Sequence, residues 1–261
     1  MKDLFLVPFS KLVGYRTFWI FLIIILGVTF AIAGIASKFT ELTVSGNELP
    51  IVGLFTFPQV WGNASWFMKF GNYFLGFLVI LLATSDDENK LLKQHIIDGW
   101  DREQVLASYL LVCGSFAFIS LSVSIFISLA FGLKGEGPYF TAEAMQGLLY
   151  FLIQCFIVFE FALVLSLLLR KAVPAILTFI GWQLILEPLL GWILDENVFD
   201  GISEYLPFRV VGKLLADPFI PSLSNVLGDA AVVPINIVLI AGSYMAIFAG
   251  IAWLKLRFTD Y

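Results

Sequence analysis

The chain has little of what catalytic and metal-binding proteins use. It holds one histidine, His95, and two cysteines, Cys113 and Cys155, in 261 residues. A lone histidine excludes a His-based metal cluster and the H-E-x-x-H helix of zinc proteases. Both cysteines stand inside apolar runs, without zinc-type or disulfide-framework spacing, and read as small core residues. No G-x-x-x-x-G-K-[ST] occurs: the one Gly-Lys pair, Gly212-Lys213, is followed by Leu214, so the chain does not bind ATP in the P-loop manner. Charge is scarce at 13% of residues, and no basic patch of the nucleic-acid-binding kind is present. These absences leave no catalytic site and no cofactor or metal site to be expected on this chain.

Apolar sequence is abundant instead. Hydrophobic residues make up 60% of the chain and the mean hydropathy is +0.94. A soluble domain of this size cannot hide that much apolar surface, so the composition predicts an all-α polytopic membrane protein. A helix needs about 20 apolar residues to cross the hydrocarbon core, and six segments qualify: Thr17–Ala36, Trp66–Thr84, Ser108–Leu133, Gly147–Leu169, Val173–Leu194 and Val233–Leu254. The first has basic flanks and a small-residue Ala31-Ile32-Ala33 site, but it is long enough to span and is expected to remain as a span. Lys and Arg set orientation. With both termini in the cytoplasm, ten of the 15 fall inside and five outside, which predicts that topology.

Charge is concentrated in one place. Six acids and three bases lie between Asp86 and Glu103, between two apolar runs. Ser85 with Glu88 has capping-box spacing, and Asp86, Asp87 and Glu88 suit a helix N-terminus, so a helix is expected to begin near Asp86. Leu92, Ile96 and Trp100 at i, i+4 and i+8 give it an apolar stripe. Gly99 offers a left-handed stop, and Asp101 with Gln104 repeats the capping pattern where a second helix leads into span three. Two readings stand: a solvated loop lying on the membrane, or a docking knob for a cytoplasmic partner, with His95 exposed on a rigid elbow.

The stretch DDENKLLKQHIIDGWDREQVLASYLL resembles the cytoplasmic segment between spans two and three of bacterial ABC exporter permeases of the type-2 family. The carrying residues are the acidic start Asp86–Glu88, then Leu92-Lys93-Gln94, Ile96-Ile97-Asp98-Gly99 and Asp101-Arg102-Glu103-Gln104; Leu92-Lys93 replaces the usual Thr-Arg. The six-span layout and Glu187-Pro188-Leu189-Leu190 near the end of span five agree. The resemblance implies a permease subunit in the inner membrane whose coupling helix sits in a cleft of an ATPase subunit. Lys93, Gln94, His95, Ile96, Ile97, Asp98, Gly99 and Arg102 are then the ATPase-coupling residues. It further implies a second permease chain, ATP and Mg held in the partner ATPase, and an N-terminal elbow helix over residues 1–16. That stretch has amphipathic spacing of its own, with Phe5, Phe9, Leu12 and Val13 apart from Lys2, Lys11 and Arg16, and a break at Pro8. Two other readings remain open: an ion-coupled transporter or channel, and a membrane scaffold performing mechanical work.

Polar groups at membrane depth call for a functional hypothesis. Gln154 and Glu160 in span four and Glu187 in span five are the translocation-path candidates, against the alternative that each bonds within the bundle. Ser120, Ser124 and Ser128, and likewise Gly242, Ala246 and Gly250, form small-residue stripes expected to pack inside the molecule. Ser37–Ser65 reads as a long outer loop carrying a weak sequon at Asn63. Asp195–Val232 reads as an outer cap, with short helices over Ile202–Leu215 parted at Pro207 and ended by Pro218 and Pro221. Its Leu206, Pro207, Phe208 and Arg209 are the outer-gate candidates.

Overall fold

The computed structural model describes residues 14, 16–39, 57–89, 94, 99–132, 138–199, 201–215 and 235–258. Among them the chain is all-helical, and six helices are long and apolar enough to cross a membrane. These are α1 (Arg16–Phe39), α2 (Val60–Glu88), α3 (Arg102–Gly132), α4 (Ala142–Leu169), α5 (Ala172–Asn197) and α7 (Ile235–Phe258). A 3-10 turn, Ile202–Tyr205, and the short α6, Pro207–Leu214, lie between α5 and α7. Long helices are what such sequence must form, because backbone groups in lipid have to be satisfied within the segment.

The bundle is built around α2 and α4, which make the most extensive helix pair. Their spans are 67% and 72% buried, against 17% for each of α5 and α7, so the last two lie at the periphery. Spans α2 and α3 join through polar contacts as well as packing. Ser65 and Ser124 hydroxyls meet at 2.9 Å, and the Ser128 hydroxyl donates to the Val60 carbonyl at 3.4 Å. The Ser120 hydroxyl donates to Asn72 Oδ1, while Asn72 Nδ2 donates to Cys155 Sγ at 3.2 Å. The serine stripe thus packs inside the molecule. The second stripe does not: Gly242 and Ala246 are exposed, and nothing comes within 4 Å of a Cβ placed on Gly242 or Gly250. Spacing puts residues on one face of a helix but does not say which way that face turns.

Two boundaries differ from the sequence expectation. Span two begins at Val60, not Trp66, so the Ser37–Ser65 loop is shorter than expected and Asn63 is helical. Val60 and Trp61 are buried, and the Trp61 indole donates to the Tyr139 carbonyl at 2.8 Å, which draws these residues into the bundle. At its other end the same helix continues through Ser85 to Glu88. Ser85 is therefore not an N-cap. Its carbonyl accepts the Asn89 backbone N–H at 3.0 Å and the Asn89 side chain at 2.8 Å, closing the helix C-terminus. Acids are unfavourable there, but Asp86 accepts the Tyr109 hydroxyl at 3.2 Å and Asp87 faces Arg170 at 4.0 Å. These tertiary partners outweigh the local capping pattern.

The second capping pattern is present. Asp101 N–H donates to Gln104 Oε1 at 3.2 Å at the start of α3, and Gly99 has φ +87°, a backbone setting that glycine adopts without a Cβ penalty. Arg102 Nη1 donates to the carbonyls of Leu256 (2.9 Å) and Arg257 at the end of α7. The elbow is thereby hooked onto the last span. Of the remaining coupling candidates, Gln94 is helical and exposed; Lys93, His95, Ile96, Ile97 and Asp98 lie outside the described residues. So does the proposed helix over 1–16, apart from Gly14, which is helical, and Arg16, which opens α1. Residues 216–234, with Pro218 and Pro221, also lie outside them.

Helix α5 changes winding along its length: Ala172–Gly181 is α, Trp182–Leu186 is a π turn, and Glu187–Asn197 is α again. Pro188 explains the interruption. It has no N–H to donate, and its ring collides with the carbonyl four residues back in a regular helix. The chain widens by one residue instead, and the Glu187 N–H bonds the Trp182 carbonyl.

Candidate functional site

A cavity of about 600 Å³ lies between α2, α4, α5 and α6, within the size range of small-molecule sites. Each helix contributes residues at its own period. From α2 come Lys69, Phe70, Asn72, Tyr73, Phe74 and Phe77; from α4, Gln154 and Val158, one turn apart. From α5 come Phe179, Ile180, Gln183, Leu184, Glu187 and Pro188, and from α6 Phe208, Arg209, Val211 and Gly212. The wall is aromatic with a polar strip, an arrangement that suits an amphiphile better than an ion.

One side of the cavity rests on Phe179. Its ring stands 5.9 Å from Phe77 and 6.3 Å from Tyr73, centroid to centroid. Gly76 makes this approach feasible, since a Cβ there would sit 2.9 Å from Phe179 Cζ. Phe161 joins Phe179 (6.1 Å) to Phe208 on α6 (5.1 Å).

Glu187 organises the mouth. It is 2% exposed. Its Oε1 accepts the backbone N–H of Arg209 at 2.7 Å, and its Oε2 accepts the Trp182 indole N–H at 3.1 Å. Leu206, the N-cap of α6, supplies no side-chain cap. The carboxylate from α5 fills that role across the gap between helices, where negative charge also suits the helix dipole. Arg209 Nη1 donates to Ser203 Oγ, and Ser203 N–H donates to Asp195 Oδ1 at 2.9 Å. The Tyr244 hydroxyl donates to the Tyr205 carbonyl at 2.6 Å, so the short segment is tied to α7 as well as α5. Val210, Val211 and Leu214 bury the apolar face of α6.

The sequence candidates divide accordingly. Gln154 and Glu187 line the cavity together with Phe208 and Arg209. Leu206 and Pro207 form the junction beside it, where the 3-10 turn gives way to α6. Glu160 is not among the cavity residues; it is 6% exposed and its Oε2 has no hydrogen-bond partner among the described residues. Six positions along α4 from Gln154, it falls on a different part of the helix circumference. Lys69, Asn72, Tyr73 and Gln183 were not singled out from sequence. The available signal was polar residues at i, i+3 and i+4 inside an apolar span, and Gln183 one turn before Glu187. The Lys69 ammonium sits over the Trp66 ring at 4.3 Å, a favourable seat for a cation beside aromatics.

Comparison of the chain with family models, curated proteins and solved structures gives no match. The class that the molecule itself defines is a multi-pass helical membrane protein with an aromatic-walled cavity between α2, α4, α5 and α6.

Proposed function

We propose that the chain is the permease subunit of an ABC-type exporter of the bacterial inner membrane, with both termini cytoplasmic. It works with separate ATPase subunits and a second permease chain, and ATP and Mg are held in the partner ATPase. The observation that carries this reading is the motif-bearing segment at the elbow, hooked to the bundle by Arg102 on the Leu256 and Arg257 carbonyls. A push on the segment would be delivered to α3 and α7 together. The cavity, extending from mid-span toward α6, supports a path for cargo, and α6 supports a gate on the outer side. The test is assembly with an ATPase. Reversing charge at Asp98 together with Ile97→Asp is expected to abolish complex formation and partner-stimulated ATP turnover. Intact assembly and turnover would defeat the reading.

A second reading, an ion-coupled transporter, is favoured by Glu160 alone, a buried carboxyl with one oxygen unpartnered among the described residues. It requires transport by the isolated chain in liposomes driven by an ion gradient, lost in Glu160→Gln. A scaffold doing mechanical work would pass the ATPase test and move no cargo.

A further inference from the structure

We propose that the cavity takes a neutral amphiphile: an apolar body with a head that both donates and accepts hydrogen bonds, such as a hydroxyl or an amide. As a statement about cargo this rests on the exporter reading; as a statement about binding it stands on the cavity itself.

Most polar groups in the lining already have partners within the protein. Glu187 is held by the Arg209 N–H and the Trp182 indole, Arg209 by Ser203, and Lys69 by the Trp66 ring. Asn72 is engaged by Ser120 and Cys155. The charged groups are thus committed inside the protein. Two uncharged groups are not. Gln154 is 4% exposed with Oε1 lacking a partner, and Gln183 Nε2 is buried beside the Tyr73 hydroxyl without a hydrogen bond of full geometry, both among the described residues. They reach the same cavity from different helices, α4 and α5.

A buried acceptor and a buried donor left open cost free energy that a ligand recovers by supplying both. Either carboxamide can be turned end for end, exchanging its donor and acceptor. A head carrying both functions serves every setting, whereas a purely anionic or purely cationic head meets both groups only when one of the two amides is turned. Phe70, Phe74, Phe77, Phe179 and Phe208 supply the surface for the apolar body.

The test uses the full chain in lipid nanodiscs without ATPase, labelled by a photoreactive monoacylglycerol. Unlabelled monoacylglycerol, an alkyl sulfate and an alkyltrimethylammonium of the same chain length compete. Labelling is expected on cavity residues of α2 and α5, with the neutral competitor about tenfold more effective than either charged one, the scale of one or two hydrogen bonds. Gln154→Leu and Gln183→Leu, on separate helices, should each reduce that preference while leaving the protein monodisperse. Labelling elsewhere, equal competition by a charged head, or a preference that survives both substitutions would overturn the proposal. None of these outcomes depends on the ATPase test at Asp98, so the two ideas fail separately.

Discussion

The side-chain carboxylate of Glu187 on α5 accepts the backbone N–H of Arg209 on α6 at 2.7 Å. The donor is main chain, so the identity of residue 209 does not decide this bond, whereas that of residue 187 does. Glu187→Gln keeps an oxygen acceptor and is expected to hold α6 in place. Glu187→Leu leaves two donors, the Arg209 N–H and the Trp182 indole, without their partner and should lower stability by about 1–3 kcal/mol. The thiol introduced by Phe208→Cys should then react faster with a thiol reagent, and Arg209→Ala should raise that reactivity less.

Gly76 and Phe179 make a second pair. A methyl at residue 76 meets the Phe179 ring at 2.9 Å, so Gly76→Ala is expected to cost about 1–3 kcal/mol as overpacking. Thermal unfolding in detergent measures it. Phe179→Leu in the same chain should restore part of the loss, and a double-mutant cycle that came out additive would refute the contact.

Arg102 caps the end of α7. Arg102→Ala removes donors from the Leu256 and Arg257 carbonyls, and the last turn should fray. Hydrogen exchange over residues 255–258 is expected to rise while that of α2 is unchanged. Arg102→Lys should recover only part, since both bonds come from Nη1 and the lysine ammonium ends one bond short of it.

Glu160 offers a prediction of opposite sign. Its Oε2 is buried without a partner among the described residues, and an ionisable group inside a span is costly. Glu160→Gln is expected to leave the melting temperature equal or higher. A clear fall would mean that the carboxyl is an anchor.

The spans were legible because twenty apolar residues have few other fates in this chain, and the break at Pro207 followed from the covalent chemistry of proline. Local signals failed where partners distant in sequence decided. Ser85 has the spacing of an N-cap, yet Tyr109 and Arg170 hold the acids beside it and the helix runs on. Val60 and Trp61 lie within a predicted loop, and Tyr139, 78 residues away, draws Trp61 into the bundle. The cavity was half legible. Gln154, Glu187, Phe208 and Arg209 stood out as polar groups at depth or as residues flanking a proline. Asn72 and Gln183 did not, because their importance depends on four helices meeting around one space.

The π turn at Trp182–Leu186 bears on how α5 tolerates changes in length. Each residue of a regular helix advances the azimuth by about 100°, whereas a π turn absorbs one extra residue by closing its bonds five positions apart. Trp182 and Glu187 consequently face one another: one bond links N–H to carbonyl along the main chain, and another links indole to carboxylate. Deleting Ile185 would remove the surplus residue and leave the two halves of the span in nearly their present rotation. It would also bring the Pro188 ring against the carbonyl one turn back, at a cost of about 3 kcal/mol, which Pro188→Ala in the same chain should relieve. Deleting Leu177 instead, in the regular first half, has no slack to consume and would turn Glu187 by about 100° from the Arg209 N–H relative to Lys171. The wide turn is therefore an expansion joint: the span can lose a residue there, but not in its regular first half, without unlatching the mouth of the cavity.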